Sequence, residues 1–123
     1  MSREVRIIIG DLEAIAELND TKTADALWAA LPIRARASTW GDEIYFGIPV
    51  NAVEENAKDV VEMGDVGYWP PGHAFCIFFG PTPASTGSEI RPASPVNVIG
   101  KIKGNARIFK AVNPGQQVLL ERI

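Results

Sequence analysis

The chain has 123 residues, 46% hydrophobic and 22% charged, with a formal net charge of −3 at pH 7. That length and balance suit one globular domain over residues 1–123 and exclude a disordered chain. The acidic excess argues against a nucleic-acid partner, whose backbone is gripped by Lys and Arg, and the single cysteine, Cys76, excludes an internal disulfide.

The N-terminal apolar run Ile7-Ile8-Ile9 is short and closely preceded by charge, unlike a signal peptide. No stretch approaches the roughly 20 apolar residues that cross a bilayer. A soluble cytoplasmic protein with no membrane partner is expected.

A strand pair opens the chain. Val5, Ile7 and Ile9 share one face, Gly10-Asp11 makes a two-residue turn, and Leu12, Ala14, Ala16 and Leu18 alternate on the return. A helix follows, capped by Asp20 or Thr21, with Ala24, Leu27, Trp28 and Leu31 on one stripe and Pro32 ending it. Trp28 reads as a core-facing anchor. Residues 34–40 and 43–48 form a second hairpin about Gly41-Asp42, with Ile44, Phe46 and Ile48 on one face and Glu43 and Tyr45 on the other. Arg34 and Arg36, alternating with alanines, read as the wet face of the first arm.

Residues 51–63 fit either a helix or a strand running into a turn. Residues 74–79 are apolar at every position and predict a strand buried on both faces. Prolines and glycines bracket that strand with loops, and residues 84–94 form a polar loop. Residues 96–102 predict a strand, 106–112 a strand or short helix, and 117–123 a closing strand. Many short strands with regular turns and one or two helices indicate a closed barrel.

Three places resemble cyclophilins. Thr23-Ala24-Asp25-Ala26-Leu27 with Leu31 is similar to the first cyclophilin helix. Phe78-Phe79 before Pro81-Thr82-Pro83 is similar to the Phe-Phe strand and its loop, and Val98-Ile99-Gly100-Lys101-Ile102 to a later strand. A closer resemblance, over nearly the whole chain, is to a small prokaryotic cyclophilin-like family of unknown function. It rests on the hairpin from Trp40 to Phe46, on the stretch from Gly67 to Pro83, and on Glu89-Ile90-Arg91-Pro92. The resemblance implies a closed eight-stranded barrel with helices over its ends, and no established activity.

Prolyl isomerisation requires tighter binding of the twisted amide than of either planar form, with an uncatalysed barrier of about 18–20 kcal/mol. Cyclophilins do this with an arginine, a phenylalanine and a glutamine beside an apolar pocket. Aligned on the arginine-bearing strand, this chain has Phe46 or Gly47 at that position, and no glutamine follows at the family spacing. Arg91, reaching in from its loop, is the residue that would substitute in an isomerase.

The preferred reading is a peptide or small-molecule ligand bound in a groove on the barrel side. Tyr45, Trp69, Phe75 and Phe79 would form the groove, with Thr82 and Arg91 as its polar partners. Each aromatic also has a plain reading: Phe75 and Phe79 as core, Trp69 as a strand-end residue, Tyr45 as a solvent-side residue beside Glu43. An atypical isomerase is the alternative, and a subunit of a larger assembly is the third; the oligomeric state is left open.

Neither a metal nor a cofactor is expected. His73 is the single histidine and reads as a loop residue, and no phosphate loop or dinucleotide fingerprint occurs. Cys76 reads as a small buried hydrophobe, facing away from His73. The adjacent acids Asp42-Glu43 and Glu54-Glu55 face apart and give general acid–base chemistry no special support.

Overall fold

The structure, a computed structural model, describes residues 3–123. It has nine strands: β1 (Arg3–Ile9), β2 (Leu12–Leu18), β3 (Ile33–Arg36), β4 (Ser38–Thr39), β5 (Glu43–Gly47), β6 (Asp65–Trp69), β7 (Ala74–Phe78), β8 (Asn97–Lys103) and β9 (Gln117–Arg122). One α-helix, α1 (Lys22–Ala30), and two short 3-10 segments, Pro70–Gly72 and Ala106–Ala111, accompany them. All neighbouring strands run antiparallel, in the order β3-β9-β1-β2-β8-β6-β7-β5-β4.

The sheet curls until its two ends meet in one stretch of chain. β3 pairs with β9 and β4 with β5, and only Ala37 separates β3 from β4. The Ala37 N–H donates to the Gln116 carbonyl at 2.9 Å, and its carbonyl accepts from the Gly115 N–H at 2.8 Å. Residues 33–39 therefore act as one bent strand that changes partner at Ala37. This division accounts for nine strands where eight were expected.

Strand β6 lies in the middle of the sheet, where the sequence shows glycines rather than a strand pattern. Gly67 gives Val96 room there, because a Cβ would lie a tight 3.1 Å from Val96 Cγ2. Residues 106–112 resolve as the 3-10 segment. Residues 51–63 are neither helix nor regular strand, and two isolated bridges, Lys58 with Val96 and Val61 with Ile90, hold them to the barrel.

Two apolar clusters follow from the period-2 alternation of strands. The barrel interior takes Val5, Ile7, Phe46, Phe75, Ile77 and Leu120, with Leu27 of α1. Thr21 caps α1, its hydroxyl accepting from the Ala24 N–H at 3.1 Å. Trp28 packs partly buried against this core, and the guanidiniums of Arg3 and Arg122 lie 5.7 and 5.0 Å from its ring. Outside the barrel, Ala74, Cys76 and Phe78 of β7 meet Val61, Ile90 and Val96. β7 is thus buried on both faces, as its sequence predicts.

Candidate functional site

The outer cluster does not close completely. A cavity of about 280 Å³ opens on the outer face of β5, β6 and β7, beside the segment from Pro92 to Val96. The pairing of Tyr45 with Cys76 brings β5 and β7 together on its floor, and Glu43 lies two residues from Tyr45 on the same face. Trp40, at the turn before β5, and Trp69, at the end of β6, supply two further rings.

Local bonds hold these side chains. Backbone bonds between Trp40 and Glu43, at 2.9 and 3.2 Å, close the hairpin turn. The indole Nε1–H of Trp69 donates to Ser94 Oγ at 2.6 Å. Gly72 allows the backbone against that ring, since a Cβ there would lie 2.6 Å from two of its carbons.

Glu43 is the one acidic residue of the cavity wall, and only 6% exposed. Among the described residues no cation forms an ion pair with it. Burial pushes its carboxyl up to about 7, and a hydrogen bond from the Cys76 thiol offsets part of that rise. The thiol also reaches the Ala74 carbonyl, at 3.8 Å. Burial foremost, and then the charge of Glu43, holds the Cys76 thiol well above its ordinary range. Cys76 therefore remains a protonated thiol at neutral pH, a poor nucleophile and a poor metal ligand.

The expected groove residues divide. Tyr45 and Trp69 line the cavity. Phe75 and Phe79 do not: they alternate inward with Ile77, where Phe75 stacks on Phe46 at 5.2 Å and Phe79 tilts against Phe109 at 6.3 Å. Thr82 is buried as a loop latch, its hydroxyl donating to the Arg91 carbonyl. Arg91 directs Nε to Glu89 at 3.3 Å and Nη1 to Asp59 at 4.0 Å, and it does not line the cavity although Pro92 and Ala93 do. At the positions aligned with the isomerase arginine, Phe46 faces the interior core and Gly47 carries no side chain.

Trp40, Glu43, Cys76, Pro92, Ala93 and Val96 complete the wall without having been expected there. A signal for Glu43 was present, since it shares a face with Tyr45. That face reads as wet because nothing local announces that residues 88–96 fold over it.

Comparison with known proteins decides the family. The Cyclophilin-like family profile matches residues 3–121. The chain belongs to the cyclophilin-like family. A hypothetical protein from Archaeoglobus fulgidus, solved in solution, is 46% identical with a TM-score of 0.84, over 99% of this chain and 95% of that one. A search of curated proteins finds no match. In this cyclophilin-like barrel, no described helix is long and apolar enough to cross a membrane.

Chemically, the site is a mostly apolar recess with one carboxyl whose ionisation burial opposes. Its wall combines three aromatic rings, three aliphatic side chains, a thiol and that carboxyl.

Proposed function

We propose that this cyclophilin-like domain binds a small ligand, or one side group of a peptide, in the cavity between Trp40, Tyr45 and Trp69. The observation that carries the reading is a preformed opening lined by three aromatic rings and a buried carboxyl. Ordinary packing does not require such an opening. Isolated polar groups in an otherwise apolar recess are what fix a ligand's orientation.

A fragment and short-peptide screen followed by two-dimensional NMR tests it. Shifts are expected to concentrate on Trp40, Tyr45, Trp69 and Val96, and Trp69→Ala should weaken binding at least tenfold. Binding that maps elsewhere, or no binding across the screen, would overturn the reading. A prolyl-isomerase assay on Xaa-Pro peptides should stay at background. A rate above background that is lost in Arg91→Ala would instead favour the rearranged isomerase.

A further inference from the structure

We propose that the cavity recognises a small organic cation, its ammonium head held among Trp40, Tyr45 and Trp69 with Glu43 as counter-ion. This inference rests on the cavity being a ligand site and adds the class of ligand. Charge complementarity carries it. Of the side chains that line the cavity, none is basic and one, Glu43, is a carboxylic acid. Its neighbours around the recess are aromatic or aliphatic apart from Cys76, so the carboxylate is largely withdrawn from water and, among the described residues, pairs with no cation. Buried anions are ordinarily paired, because an unpaired one is costly. A bound cation would supply the missing partner.

The rings point to the same class. The faces of Trp and Tyr attract ammonium groups, and more strongly where water is excluded, which is how aromatic cages hold quaternary ammonium ligands. A hydrated metal ion fits less well, since hard cations demand several oxygen ligands, and among the described residues no group of three or more acidic, histidine or cysteine side chains is arranged to hold one.

Ligand affinity and protonation are coupled at this site. The other titratable groups on the wall are Tyr45 of β5 and Cys76 of β7; Cys76 stays a neutral thiol in the neutral range. Next in sequence lies Asp42, which faces Lys110 at 3.9 Å. On the segment leading over the recess, Arg91 is engaged by Glu89 and Asp59. Glu43 is therefore the group whose ionisation sets the pH dependence. A cation favours its charged form, so binding near neutrality should release protons.

The test is a matched pair of probes: choline, and its neutral carbon isostere 3,3-dimethylbutan-1-ol, titrated calorimetrically into the protein at pH 5.5 and 8.5. Choline affinity should rise about thirtyfold between those values, following the ionised fraction of a group near 7, while the alcohol should show no such rise. At pH 7, buffers of different ionisation enthalpy should reveal proton release with choline only. Glu43→Gln should abolish the pH dependence and the preference for choline. If the alcohol binds as well as choline at pH 8.5, the cavity is a ligand site and the cation inference fails. If neither probe binds, and the screen also finds nothing, both readings fail together.

Discussion

Glu43 is a residue that folding alone does not explain. Moving its carboxyl from an ordinary 4.5 to about 7 corresponds to a cost on the order of 3 kcal/mol at pH above both values. The sign follows from the raised folded-state value: the buried group prefers its proton. Its favourable contribution is complete below the unfolded value and is lost as pH rises from about 4.5 through 7. A glutamine has nearly the same shape and no charge to desolvate. Glu43→Gln should therefore be the more stable protein by roughly 2–3 kcal/mol at pH 8, and close to wild type at pH 4. Urea unfolding at the two pH values measures the difference. Equal stability at both would mean that the carboxylate keeps its water.

At the scale of elements, the irregular segment 51–57 shows how side chains replace a missing ladder. Asn97 of β8 accepts from the Glu55 N–H at 2.8 Å and donates to the Val53 carbonyl at 2.9 Å and to Thr23 Oγ1 at 3.1 Å. Glu55 in turn accepts from the Lys22 and Thr23 N–H groups, each at 2.9 Å, at the exposed start of α1. One fully buried amide thus links the segment, the helix and the sheet. Asn97→Ala leaves several of these groups without partners and should cost about 1–3 kcal/mol. Hydrogen exchange should show Glu55 losing protection first, with β1 and β2 unchanged.

Elements that carry their own pattern were legible in the sequence: the β1–β2 hairpin with its Gly10-Asp11 turn, α1 with its Thr21 cap, and the two-sided apolar run of β7. Elements defined by distant neighbours were not. β6 is hidden because Gly67 stands where Val96 crowds the strand. Residues 51–63 fit two local patterns and adopt neither, because their bonds go to Asn97, Val96 and Ile90. The candidate site was half legible for the same reason. Tyr45 could be found from its strand and Trp69 from its place before Pro70-Pro71, whereas Glu43 needed the cover of residues far along the chain.

For the whole molecule, these carboxyls pull stability in opposite directions with pH. The Thr23 hydroxyl, with the N–H groups of Lys22 and Thr23, holds Glu55 below its ordinary range. The Thr86 N–H foremost, with the Thr86 hydroxyl and the Gly87 N–H, holds Glu89 down to about 2. Both are depressed, so their contributions are present above the unfolded value and disappear as pH falls through the folded one. Both are also solvent-accessible, which keeps each contribution small. Glu43 acts with the opposite sign from about 4.5 to 7. On the alkaline side, Lys101 and Lys103 are raised by bonds to Glu62 and Glu4, and what they contribute is lost only above the ordinary lysine range. The melting temperature should therefore peak near pH 5, in the narrow window where the acid-sensitive loops are already charged and Glu43 is still protonated. Calorimetric scans from pH 3 to 9 measure the profile. Glu43→Gln should move the maximum toward neutrality while leaving the acid limb in place, because that limb belongs to Glu55 and Glu89. A wild-type profile that climbs steadily from pH 5 to 8 would show that the cavity does not desolvate its carboxyl. A peak restored at pH 8 by choline in the wild type, and absent in Glu43→Gln, would tie the whole molecule's stability to the charge state of that one cavity.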